Sequence, residues 1–301
     1  MKHSVWTQWE DIRVPDGVEK LTPTNSPLNT SDLSKITFYV PQYLKGLRAL
    51  EYVKRMPNLE VLQMLNAGYE DALEYLRPGL TLCNGGGIHN DSTAELAVGM
   101  AIASLRGFPR FVRSQGQGKW DHAQFRSIHD RRIGIVGFGA IGRTIARNLS
   151  GFDVEVIGFS RSGRDGAVDI EHFDEYLPSL DVVILIMPLN DQSRHFFDAR
   201  RLALLKDGAL LINVARGAII ETAALLAELR TGRITAALDV TDPEPLPPDH
   251  PLWKEAGVFI TPHVGGNSSA FEPRARGLIE SQLIRLASNQ PLENVVVQGG
   301  V

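Results

Sequence analysis

The sequence predicts an α/β protein of two domains, the larger built on a doubly wound parallel sheet. Three observations carry this expectation. A chain of 301 residues is about twice the ~150 residues of a typical domain. From residue 132 onward, short apolar runs alternate with stretches of helical periodicity. Those runs are apolar nearly throughout, as expected of strands covered by helices on both faces.

In the first ~95 residues, "KITFYV" (35–40), "LEVLQML" (59–65) and "LTLC" (80–83) read as strands, with "LRALEYVKRM" (47–56) as a helix between the first two. "DSTAELAVGMAIASLRGF" (91–108) reads as a long helix opening on Asp91 or Ser92 as its cap and bridging the two domains. "RIGIVG" (132–137), "VEVIGFS" (154–160), "DVVILIMP" (181–188), "ALLINVA" (209–215), "ITAALDV" (234–240) and "GVFITP" (257–262) are the strands of the second domain. Between them lie helical segments such as "AIGRTIARNL" (140–149) and "TAALLAELRTG" (222–232), the latter ending at the C-cap candidate Gly232. The Pro-rich "TDPEPLPPDHPLW" (241–253) is a loop within this domain. The final ~30 residues are helical in pattern and return to the first domain. The expected division is therefore residues 1–96 with 270–301, and residues 97–269.

Composition excludes several function classes. The chain is 43% hydrophobic and 22% charged, ordinary values for a soluble globular protein. Its net charge of −4 gives no general attraction to nucleic acid or to an anionic membrane. A single cysteine, Cys83, cannot close an internal disulfide, which fits a reducing cytoplasm. The start, "MKHSVWTQWEDIRV", lacks the apolar core of a secretory signal, and no apolar run reaches the ~20 residues that span a bilayer. No metal-ligand set is assigned.

Gly137-Phe138-Gly139-Ala140-Ile141-Gly142 follows a strand and opens a helix, the context that a dinucleotide-binding G-x-G-x-x-G requires. Gly137 permits the tight turn, Gly139 lets a pyrophosphate approach the backbone, and Gly142 brings helix and strand close. The free N–H groups of the helix start face the phosphates. This makes the second domain Rossmann-type. The next strand ends ~20 residues on, where an acid would accept both ribose hydroxyls of NAD. Here "FSRSGR" (159–164) offers Ser160, Arg161 and Arg164 instead. A serine hydroxyl and guanidinium groups suit a 2′-phosphate, so NADP(H) is favoured over NAD(H).

Three polar residues stand just past strand ends, where open α/β sheets bind ligands: Arg216, Glu244 and His263. Singly each is weak evidence, since a histidine after a strand is more often structural and an arginine there is often a salt-bridge partner. Their local sequences, "NVARGAII", "ALDVTDPEPLP" and "TPHVGG", resemble the signature segments of the D-isomer-specific 2-hydroxyacid dehydrogenases. The resemblance spans about residues 35–295, including the late-placed "GFGAIG", "TAELAVGMAIASLR" and "MPLNDQSRHFF".

That resemblance implies a flavodoxin-like substrate-binding domain, completed by the C-terminal helix, beside the Rossmann-type domain, with the active site in the cleft. It implies a homodimer built partly through "LRGFPRFVRSQGQGKW" (105–120). His263 would be the general acid, Glu244 its partner, and Arg216 the group binding the substrate carboxylate and keto oxygen. Pro188, Ser193, Val214, Ala215, Asp239, Gly265 and Gly266 match positions lining the cofactor. In "NAGYED" (66–71), Ala67 and Gly68 match the loop whose amides hold the substrate carboxylate. The loop "NGGGIHND" (84–91) departs from the family, which usually has a proline and mostly apolar residues there. His89 in it aligns with a pocket position and either recognises a polar substrate tail or faces solvent.

The implied activity is reduction of a small 2-keto acid of the glyoxylate or hydroxypyruvate type by NADPH. Oxidation of D-3-phosphoglycerate is a weaker expectation, as the chain ends soon after its last helix. Formate oxidation is disfavoured, because Pro262 precedes His263 where formate dehydrogenases carry glutamine. A non-catalytic, nucleotide-sensing corepressor-like protein is the alternative outside enzymes.

Overall fold

The computed structural model describes residues 3–299. Chain contacts divide it into two units, residues 1–89 with 269–301, and residues 90–268. The whole long helix thus goes with the second unit.

The first unit holds a six-stranded sheet in the order β13-β5-β4-β3-β1-β2. Its strands are β1 (His3–Trp6), β2 (Val18–Leu21), β3 (Phe38–Tyr39), β4 (Val61–Gln63), β5 (Thr81–Cys83) and β13 (Val295–Val297). All neighbours are parallel except β13, which runs antiparallel to β5. The order 2-1-3-4-5 is the flavodoxin-like winding. Both faces of this sheet are covered. Trp6, Tyr39, Leu62 and Leu82 pack into one apolar cluster, and their neighbours Val5, Phe38, Val61 and Cys83 into another. Helix α8 (Phe271–Ala287) closes the second face with Phe271, Ala275, Ile279 and Leu283, one residue per turn.

Two expectations change here. Strands β1 and β2 arise from "HSVW" and "VEKL", four-residue segments too short and polar to show a strand pattern. The segment 47–56 is α-helical only as α1 (Leu47–Leu50) and continues as a 3-10 turn over Glu51–Arg55.

The second unit carries a wholly parallel seven-stranded sheet, β12-β11-β10-β9-β6-β7-β8. Its strands are β6 (Arg131–Val136), β7 (Val154–Ser160), β8 (Val168–Asp169), β9 (Val182–Leu185), β10 (Leu210–Asn213), β11 (Thr235–Leu238) and β12 (Val258–Ile260). Helices α2 (Asn90–Leu105) and α4 (Ala140–Leu149) cover one face over Ile133, Ile135, Ile184 and Ile212. On the other face, α6 (Ala199–Leu204) and α7 (Thr222–Arg230) pack Leu202, Leu225 and Leu229 against Val136, Val183, Leu185 and Leu211. Short helices α3 (Phe108–Gly116) and α5 (Phe173–Tyr176) complete the unit. Alternate residues of one strand thus enter different cores, which is why these strands read as unbroken apolar runs.

Helix α2 starts at Asn90, so neither Asp91 nor Ser92 is its cap as expected. Asp91 therefore lies in its first turn, 3.1 Å from the Arg147 guanidinium of α4, and Ser92 hydrogen-bonds Ser268 at 2.7 Å. Among the described residues no helix is long and apolar enough to cross a membrane.

Candidate active site

The strand order of the second unit reverses between β6 and β9, and ligands of open α/β sheets bind at such a switch point. The glycine loop sits there. Gly137 has φ +103°, and a Cβ on it would lie 2.6 Å from the Met187 nitrogen in the segment after β9. Only glycine serves at a left-handed position with backbone that close. A Cβ on Gly142 would run into the Gly137 carbonyl, so this glycine lets α4 start directly against the turn. Gly139 has nothing within 4 Å of where its Cβ would be, leaving room for a ligand to approach. Ala140 and Ile141 open α4, whose first turn has no side-chain cap, leaving its N–H groups for a ligand. These features fit a dinucleotide pyrophosphate.

The end of β7 fits the adenosine end of such a cofactor. Ser160 closes the strand, and its Oγ is buried with no hydrogen-bond partner among the described residues. Arg161 and Arg164 are exposed, and neither forms an ion pair among the described residues. Asp169, paired in register with Ser160 across β7 and β8, is committed to capping the Glu171 N–H at 3.0 Å. Ser193 lies in the loop that Pro188 opens. It is buried, and its hydroxyl donates to the Pro188 carbonyl at 2.7 Å, so it closes its own loop.

Arg216 follows β10, where buried Asn213 shapes the turn. The Asn213 Oδ1 accepts from the Ala215 N–H at 3.1 Å, and its Nδ2 donates to the Arg216 carbonyl at 2.9 Å. Val214 and Ala215 are packed beneath. Beyond Arg216 the chain passes so close to the 241–244 loop that a Cβ on Gly217 would collide with the Thr241 carbonyl. Thr222 also donates to the Asp242 carbonyl at 2.8 Å. The Arg216 and Glu244 loops are therefore held against each other.

His263 and Glu244 meet directly, with Nδ1 2.5 Å from Oε1. Both side chains are half exposed, at 47% and 38%. The hydrogen bond to Glu244 raises the His263 pKa above the usual histidine value; desolvation and the Arg216 charge oppose it. The same bond lowers the Glu244 pKa, so Glu244 stays ionised. His263 has φ +52°, in the left-handed region, and its N–H donates to the Asp239 carbonyl at 2.7 Å.

Asp239 is the residue that holds this turn together. It is buried, and its carboxylate accepts from the Thr261 hydroxyl at 2.5 Å, Val264 N–H at 2.9 Å and Gly265 N–H at 2.9 Å. Its oxygens thus bind the segment bearing His263 and lying before Gly266. Asn213 and Thr261 were missed by sequence reasoning. A polar Asn at the end of the apolar "LLIN" was the only signal for the first.

In the first unit, Ala67 lies exposed and Gly68 half-buried after β4. His89 does not face solvent. It is buried, with Nε2 2.9 Å from the Leu65 carbonyl and its ring parallel to Phe271 at 5.5 Å.

Residues 98–265 match the family model for the D-isomer specific 2-hydroxyacid dehydrogenase, NAD binding domain. A glyoxylate reductase from Thermofilum pendens is 33% identical over 241 residues, 75% of this chain and 70% of that one. The chain belongs to the D-isomer-specific 2-hydroxyacid dehydrogenase family. An NADPH-dependent glyoxylate/hydroxypyruvate reductase from Sinorhizobium meliloti, solved in complex with NADP and sulfate, superposes with a TM-score of 0.83 at 26% identity. That likeness covers 99% of both chains. A D-3-phosphoglycerate dehydrogenase from Methanocaldococcus jannaschii is 28% identical over 257 residues, 82% of this chain. This chain spans about half the length of that relative, 49%.

Proposed function

We propose that this chain reduces a small 2-keto acid of the glyoxylate or hydroxypyruvate type to the D-2-hydroxy acid, with NADP(H) preferred over NAD(H). The observation that carries the reading is the 2.5 Å contact between His263 and Glu244 on the loop held against Arg216. A nicotinamide nucleotide, when bound, supplies the hydride for the carbonyl carbon. His263 then gives its proton to the carbonyl oxygen, giving a hydroxyl group. Glu244 keeps that proton available near neutral pH by stabilising imidazolium. Arg216 pairs with the α-carboxylate and draws electron density toward the keto oxygen. In the first unit, Ala67 and Gly68 offer N–H groups suited to a substrate carboxylate. We further assign the first unit, residues 1–89 with 269–301, to substrate binding and the second, residues 90–268, to nucleotide binding. The second copy of a homodimer would dock through 105–120, a segment in which Phe108, Val112 and Trp120 are exposed.

Steady-state turnover of glyoxylate and hydroxypyruvate with NADPH tests the reading, and absence of turnover across a panel of 2-keto acids sinks it. The cofactor preference has its own test. Loss of one charge-assisted phosphate contact removes about 1.5–3 kcal/mol. Arg161→Ala is therefore expected to weaken NADPH roughly 10- to 100-fold while leaving NADH nearly unchanged. Parallel weakening of both would remove Arg161 from the 2′-phosphate site.

A further inference from the structure

The glycine-rich loop after β5, the segment that departs from the family pattern, is zipped to the loop bearing Ala67 and Gly68. The Gly85 N–H donates to the Asn66 carbonyl at 2.7 Å. The Asn84 Nδ2 donates to the next carbonyl, that of Ala67, at 2.8 Å. A side chain at position 85 is excluded, because its Cβ would collide with the Leu65 carbonyl and lie 3.0 Å from the Asn66 nitrogen.

These two bonds have a directional consequence. In a trans peptide the C=O and the following N–H point in opposite directions from one plane. Fixing the Asn66 carbonyl therefore fixes the Ala67 N–H, and fixing the Ala67 carbonyl fixes the Gly68 N–H. Neither N–H donates a hydrogen bond among the described residues. Asn84 is itself held from three sides. Its N–H donates to the Asn294 carbonyl at 3.0 Å, its carbonyl accepts from Gln63 Nε2 at 2.9 Å, and its Oδ1 accepts from the Gly86 N–H at 3.0 Å.

We propose that Asn84 is a positioning residue for substrate, holding the Ala67 carbonyl so that the Gly68 N–H faces the substrate carboxylate, while Gly85 sets the Ala67 N–H in the same way. The inference rests on the reading that these two amides bind that carboxylate. Asn84 touches the loop and not the reacting atoms, so it acts on binding and not on the chemical step.

The test measures the dissociation constant of oxamate, a non-reducible 2-keto acid analogue, from the enzyme–NADPH complex, together with KM and kcat for glyoxylate. For Asn84→Ala the oxamate constant and KM are expected to rise about tenfold, with kcat and NADPH affinity within about twofold. Asn84→Ser, too short to span to Ala67, is the second variant should alanine impair folding. Gly68→Pro, which deletes the N–H itself, separates the two claims. If Gly68→Pro weakens oxamate and Asn84→Ala does not, the positioning role is wrong and the carboxylate loop stands. If neither variant weakens oxamate, the carboxylate loop falls as well. Equal losses in kcat, NADPH affinity and oxamate affinity for Asn84→Ala would mark general damage and also overturn the proposal.

Discussion

His263→Ala is expected to lower kcat by roughly 10²–10⁴-fold, the range that a positioned general acid contributes. NADPH affinity should change little, because the glycine turn and the end of β7 lie on other loops from the 261–265 turn that carries His263. The contrast between the two measurements is the check. A variant that loses cofactor affinity as much as turnover would show that His263 supports the fold of the site, and the proton-donor role would be abandoned.

Glu244→Gln acts on the same proton from the other side. The Glu244 hydrogen bond raises the pKa of His263, so imidazolium persists to higher pH than for an ordinary histidine. Reduction needs that imidazolium and declines as pH rises through the raised pKa. Removing the Glu244 charge lowers the pKa again and moves this decline to lower pH. Oxidation of the hydroxy acid needs neutral imidazole, so its rise with pH moves down by the same amount. At neutral pH the variant should reduce substrate more slowly than the unaltered enzyme, and by less than His263→Ala, because the imidazole itself remains. Profiles of kcat against pH in both directions measure this, and an unmoved limb in the variant would dissociate Glu244 from the proton.

Much of the second unit was legible in the sequence, because a parallel sheet buried on both faces writes its strands as continuous Val- and Ile-rich runs. The first unit was legible only in part. Its β1 and β2 carry Ser4, Glu19 and Lys20 within four-residue strands, and their place in the sheet is set by neighbours distant in sequence. The His263–Glu244 pair was expected from local motifs, and the two residues do meet. What could not be read was how loops brace each other. Asp239 takes three donors from residues 22–26 positions away, and Asn84 reaches a carbonyl 17 positions back. Sequence pattern reports which residues are polar, while such bonds depend on which loops the sheet order brings side by side.

The antiparallel strand β13 imposes an order of events on synthesis. It pairs Val295 with Cys83, and α8 ahead of it supplies Gln282 to the buried Gln63 at 2.7 Å. Residues 3–83 therefore leave the ribosome long before the strand and helix that finish their sheet, with all of the second unit translated in between. Until then the β5 edge stays open, the sheet lacks the α8 cover over Val5, Phe38 and Val61, and the Gln63 Oε1 lacks the donor that Gln282 supplies. An open edge next to uncovered apolar surface invites pairing with other chains. The nascent chain thus carries an aggregation hazard in the strands of residues 3–83 until residues 271–297 follow and remove it.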